Sequence, residues 1–211
     1  MNYQVELERK VKEFEEQGQV PTLLLHSCCA PCSTYVIEYL SQYFSITVYY
    51  YNPNIAPIAE YEKRAKEQQA LITAMPTKYP VSFQLGPYEN QKFYEIAKGL
   101  EKEPECGKRC DRCYVLRLEQ TAMLAKELGV DYFTTTLTIS PLKSAVKLNT
   151  IGETIGARIG VPYLVSDFKK KNGYKRSTEL SKEYNLYRQN FCGCIYSKME
   201  MEAKERNKNS K

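Results

Sequence analysis

The chain has 211 residues, 43% hydrophobic and 26% charged, a globular composition that excludes wholesale disorder and suffices for one α/β core with appendages. No run approaches the ~20 apolar residues of a membrane span and no signal-peptide pattern opens the chain, so a cytoplasmic protein with no membrane association is expected. The formal net charge is only +5 but unevenly spread, and eight cysteines in a chain that needs no disulfide staples point to metal or thiol redox chemistry.

Within residues 1–20, positions 3–18 carry a helical pattern, with Leu7, Val11 and Phe14 on one face, that stops at Gly18. Residues 22–26 form an apolar run of buried-strand length. Residues 33–44 place Val36, Ile37, Leu40, Tyr43 and Phe44 on one helical face, with Ser33 or Thr34 as the natural cap. Residues 46–51 (ITVYYY) are β-branched and aromatic, hence a second strand closed by the turn YNPN. A helix over 60–75, a strand over 81–85 and a helix over 88–98 follow. The clearest helix spans 113–128, with Tyr114, Leu118, Ala122, Ala125 and Leu128 on one face and Gly129 as its stop. A fourth strand is expected at 132–136, a glycine-rich helix at 145–159, a fifth strand at 163–165, and a tyrosine-rich helix that ends at FCGC.

Five short strands alternating with helices predict a single Rossmann-like α/β domain over residues 1–211, with a five-stranded parallel sheet and right-handed crossovers. Residues 168–211 would add a basic and helical C-terminal segment carrying the CGC pair. Ligands of such sheets sit outside the carboxyl ends of the strands, where the strand order reverses. If the first strand lies there, CCAPCS occupies the crevice floor, without the glycines of a phosphate-cradling turn.

The thiols fall into three groups. Cys28, Cys29 and Cys32 follow the first strand, Cys106, Cys110 and Cys113 precede or open the long helix, and Cys192 and Cys194 flank Gly193. Cys110 and Cys113, two residues apart, can turn both sulfurs toward one centre. Together with Cys28 and Cys29 they supply four thiolates, enough for a structural zinc or an iron-sulfur cluster. A location at the open end of a full α/β sheet favours the cluster. Cys192 and Cys194 could close a small, strained and therefore oxidising ring, or serve as further metal ligands. His26, the single histidine, ends the first strand, where it could bond a sulfur, give a proton to a substrate or be a satisfied structural residue. Asp111 and Asp167 fall near the same crevice.

Residues 168–177 (FKKKNGYKRS) interleave Phe168 and Tyr174 with Lys169, Lys170, Lys171, Lys175 and Arg176, and residues 204–211 are basic and nearly free of apolar groups. Cations on phosphates and aromatic faces on unpaired bases are the means by which single-stranded RNA loops are held. A solvated basic loop has the same composition.

The stretches LLLHSCCAPCS, YYYNPNI with EYEKR, GKRCDRCYVLRL, DYFTTTLTISP and DFKKKNGYKRSTELSKEYNLYRQNFCGC together resemble the cobalamin-independent epoxyqueuosine reductases, over about residues 20–197. The resemblance implies an architecture similar to the adenine nucleotide alpha hydrolase-like fold. It also implies two-electron reduction of the epoxide of epoxyqueuosine, at a tRNA wobble position, to queuosine. By the same resemblance Cys28, Cys29, Cys110 and Cys113 would ligate a 4Fe-4S cluster, and Cys192 with Cys194 would form a redox-active disulfide. An adjacent mononuclear iron would take Cys32 as a ligand, while Cys106, where relatives commonly have glycine, would be a bystander. The implied partners are a tRNA carrying epoxyqueuosine and an electron donor that the sequence does not specify. Two rivals differ in class: an ATP-dependent tRNA-modifying enzyme of the same fold, which would want a glycine-rich phosphate loop, and a zinc-containing RNA-binding protein.

Overall fold

Leu23, Leu24 and Leu25 are all buried, the signature of a strand covered on both faces. They belong to β1 (Thr22–His26), which pairs in parallel with β2 (Ser45–Tyr50) on one side and β4 (Tyr132–Thr135) on the other. β3 (Val81–Leu85) adds to β2, giving a four-stranded parallel sheet in the order β3-β2-β1-β4. The computed structural model describes residues 2–209, so the last two residues of the basic tail expected at 204–211 lie outside it.

Side-chain alternation along the strands divides the core. Leu23, Leu25, Ile46 and Val48 pack against α1 (Tyr3–Glu16), α2 (Ala30–Leu40) and α3 (Ile58–Ala74). Leu24, Tyr49, Tyr51 and Phe133 pack against α5 (Lys108–Leu128) and α6 (Ala145–Ile159). Each fully buried leucine or phenylalanine contributes roughly 1.5–3 kcal/mol of apolar transfer. The shorter α4 (Asn90–Ala97) leans on α5, and α7 (Gly173–Glu183) on α2.

Four expectations change. The fifth strand is absent among the described residues: the 163–165 segment makes one isolated bridge, Phe133 with Tyr163. Pro162 has no N–H to offer a ladder, and the amide of Asn149 takes over the next groups, donating to the Ser166 carbonyl at 2.8 Å and accepting from the Ser166 N–H at 2.9 Å. Next, α2 starts at Ala30 rather than at Ser33, with Cys29 as its N-cap and a proline in the first turn. Finally, no tyrosine-rich helix runs into CGC. Helix α7 stops at Glu183 and α8 (Ile195–Asn209) begins only after Cys194. Helix α5 also begins five residues ahead of the sequence expectation, which places Cys110 inside its first turn.

Asn149→Ala should leave both Ser166 backbone groups unpaired and cost about 2 kcal/mol, read from the urea midpoint at constant m-value.

Candidate metal and thiol site

The strand order reverses between β1 and β4, so the chain leaves these neighbours in opposite directions and opens a crevice at their carboxyl ends. The β1–α2 turn forms its floor. It holds its shape without glycine because side chains from three elements clamp it. Asn52 donates to the Ser27 carbonyl at 2.8 Å, Ser27 donates to Gln68 of α3 at 2.7 Å, and Ser27 and Ser33 hydroxyls share a 2.5 Å bond. Ser33, expected as a cap, is instead buried in this clamp.

The clamp groups three thiols. The sulfurs of Cys28, Cys29 and Cys32 lie within 4.8 Å of one another, Cys28 to Cys29 at 3.7 Å, close enough to share one ion or cluster. All three sit at the N-terminus of α2, whose dipole favours negative charge. Hydrogen bonds from Cys29 and Cys32 hold the Cys28 thiol well below its usual range, with Arg117 and Lys143 adding to the effect. The same bond to Cys28 pushes Cys29 up to about 12 and Cys32 well above its ordinary value.

The other thiols face the same region. Cys28 and Cys110 pack on one apolar group, Tyr114, Leu137 and Leu148, while Cys113 packs with Cys194 beside Phe93 and Ala97. Burial pushes Cys110 and Cys194 up to about 12. The sulfur of Cys106 donates to the Leu142 carbonyl at 3.0 Å, and its N–H donates to Cys110 Sγ at 3.2 Å. All eight cysteines are free thiols, Cys192 and Cys194 included.

Cys192 reaches a cavity of about 170 Å³ that it lines with Cys28, Cys29, Cys32, Arg64, Glu105, Lys143 and Phe191. The CGC loop is tied down on three sides. Ala56 N–H donates to the Gly193 carbonyl at 3.0 Å, Arg64 Nη1 to the Cys192 carbonyl at 3.3 Å, and Cys192 N–H to Ser197 Oγ at 3.0 Å. Ser197 in turn donates to Glu105 at 3.1 Å. A wider, shallower groove of about 560 Å³ lies at the opposite end of the sheet, lined by Phe14, Val20, Asp131 and Pro162. It holds no thiol, and its one carboxylate already accepts from Thr22, so the smaller cavity is the chemical one.

Sequence reasoning missed the cations. Arg64, Arg117 and Lys143 all face the thiols, and Arg117 is 1% exposed. Burial lowers the Lys143 ammonium's pKa, but Cys192, Cys28, Cys32 and Glu105 outweigh it and hold the lysine well above its usual range. EYEKR contained Arg64 and GKRCDRCYVLRL contained Arg117, but nothing in either motif marks these arginines as buried. His26 is placed differently from any proton donor. It is fully buried, Arg117 Nε donates to its Nε2 at 3.2 Å, the same nitrogen lies 3.2 Å from the Tyr51 carbonyl, and Nδ1 lies 2.8 Å from Thr135 Oγ1. Burial first, then Arg117, lowers His26 to about 3, so it stays neutral. Asp111 pairs with Lys147 at 2.9 Å and Asp167 with Lys169 at 2.7 Å, and neither lines the cavity.

The basic segment is partly structural. Lys169 also reaches the carbonyls of Thr138 and Lys143 at 3.3 and 3.5 Å, Lys171 pairs with Glu8 at 2.6 Å, and Arg176 with Glu38 at 2.5 Å. Lys170, Tyr174 and Lys175 are exposed. Among the described residues no helix is long and apolar enough to cross a membrane.

These residues fit a bound metal centre. A thiol trio within one ion's reach, two further thiols at a second helix start, and a buried arginine without a carboxylate partner among the described residues call for negative charge between them, which metal-bound thiolates would carry. The family model described as epoxyqueuosine reductase QueH matches residues 23–200. Relatives with the same name include one from Staphylococcus epidermidis, 44% identical over 95% of this chain and 86% of its own length. Another, from Streptococcus pyogenes, is 44% identical over 93% of this chain and 78% of its own. A third, from Thermotoga maritima, is 36% identical over 87% and 93%. These names support neither the ATP-dependent rival nor the zinc RNA-binding one.

Gly193 adopts φ +113°, and a Cβ there would lie 2.9 Å from Ile55 and 3.0 Å from Arg64. Gly193→Ala should cost about 1–3 kcal/mol and speed the reaction of Cys192 and Cys194 with a thiol reagent, followed by timed labelling and mass spectrometry.

Proposed function

The chain belongs to the epoxyqueuosine reductase QueH family, and from that premise we propose that it reduces the epoxide of epoxyqueuosine in a tRNA anticodon to the alkene of queuosine. The observation that supports this reading is the thiol trio Cys28, Cys29 and Cys32 at the sheet's switch point, which lines one cavity with Cys192 and has Cys110 packed on the same apolar group as Cys28. The conversion consumes two electrons and two protons, breaks both C–O bonds of the ring and releases the oxygen as water.

When bound, a 4Fe-4S cluster on Cys28, Cys29, Cys110 and Cys113 supplies electrons singly, and an adjacent mononuclear iron with Cys32 among its ligands supplies Lewis acidity toward the departing oxygen. The chain's own residues do the rest. Leu137, Leu142 and Phe191 give the cavity apolar walls that thin out water, and Lys143 presents a fixed positive charge toward the oxygen that becomes negative. Arg64 anchors the CGC carbonyl and so keeps Cys192 at the cavity. Cys192 and Cys194 together give up two electrons and two protons on closing to a disulfide, which an external reductant reopens. His26 positions Arg117 rather than delivering protons.

For the tRNA, Lys170, Lys175 and Tyr174 are the contacts we assign, the lysines to phosphates and the tyrosine to an unstacked base. Lys169, Lys171 and Arg176 brace the loop that presents them.

Anaerobic purification, with iron and sulfide analysis and turnover on epoxyqueuosine tRNA, tests the reading. Cys110→Ser should lose iron and sulfide together. Cys192→Ser should keep both yet stop after at most one turnover; full iron in the first variant, or sustained turnover in the second, would refute the assigned roles. Replacing Lys170 and Lys175 by alanine should flatten the logarithmic salt dependence of tRNA affinity by about 1–2, and an unchanged slope would mean the segment is merely solvated.

A further inference from the structure

Three arginines are almost wholly buried, and two of them have an acid. Arg64 pairs with Glu60 at 2.7 Å and Arg109 with Glu200 at 3.2 Å. Arg117 has no carboxylate partner among the described residues. Its Nε donates to His26 at 3.2 Å and its Nη2 to the Asn52 amide oxygen at 2.6 Å. A guanidinium cannot shed its charge, and an uncompensated one is among the most costly groups a protein can bury. The neighbours that favour its positive charge are sulfurs: Cys113 one helical turn earlier on α5, then Cys28 and Cys192. Asp111, on the same helix, is turned away to Lys147.

We propose that Arg117 is the charge-compensating, positioning residue of the metal-thiolate centre, a fixed buried cation that favours the reduced state over the oxidised one. The inference rests on the cluster reading above. Each electron from an external one-electron donor makes the centre one unit more negative while no bond forms or breaks. A cation in a water-poor surrounding then lowers the energy of the reduced state more than that of the oxidised one. The Asn52 and His26 bonds fix the guanidinium in place. Asn52 also holds the Ser27 carbonyl, so one amide links the cation to the turn carrying Cys28 and Cys29.

The test compares the anaerobically purified wild-type protein with Arg117→Lys, Arg117→Gln and Arg117→Met. Iron and sulfide are counted, and the ratio of reduced to oxidised centre is read by electron paramagnetic resonance at a fixed applied potential. The neutral variants should show at least a tenfold lower ratio, equivalent to 59 mV for a one-electron couple, while Arg117→Lys stays within about twofold of wild type. Loss of iron in both neutral variants with retention in Arg117→Lys equally supports a requirement for charge. An unchanged ratio in a neutral variant with full iron, or loss of iron in Arg117→Lys as well, overturns the role of Arg117 alone. A wild-type protein that carries no iron or sulfide overturns the cluster reading and the proposal with it.

Discussion

Parallel pairing of β1 with two neighbours is the constraint on which the molecule depends. Its left and right connections must diverge, and at the point of divergence no backbone fills the space above the strand ends. Two helices begin beside that gap, α2 directly after β1 and α5 across from it. Each turns its positive end and its cysteines inward. In other folds of this shape the same gap takes a phosphate on a glycine-rich turn. Here serine, glutamine and asparagine side chains hold the turn instead, so the backbone N–H groups that would cradle a phosphate give way to sulfur.

Charge follows from that placement. Thiols sunk to this depth resist ionisation, as Cys110 and Cys194 show, while hydrogen bonds from its neighbours move Cys28 the other way. Lys143 and Arg117 come from different segments yet approach the same sulfurs. Their positive charge is costly to bury beside neutral thiols, and metal-bound thiolates would offset it.

Much of this was legible in the sequence and some was not, for identifiable reasons. The strands at 22–26 and 81–85 and the helix at 145–159 follow from burial patterning alone and appear as expected. The fifth strand failed because Asn149, within a helix, intercepts the hydrogen bonds that a strand needs, and side-chain competition of this kind leaves no periodic trace. The start of α2 was misjudged because serine and threonine are common caps and cysteine is not; the proline in the first turn was the better signal. The thiol groups stood out by residue type. Arg117 did not, since an arginine four residues after a cysteine is indistinguishable in sequence from a surface residue, and only its burial among neutral partners reveals it.

The fastening of the CGC loop bears on how the centre is built. Residues 189–192 wall one side of the cavity, and the Ser197–Glu105 and Ala56–Gly193 bonds seat that wall. A ribosome makes this wall only after Cys28, Cys29, Cys110 and Cys113 have emerged. With that wall in place, an ion bound by Cys28, Cys29 and Cys32 would be flanked by Cys192 and Phe191, and its release would require the CGC loop to give way.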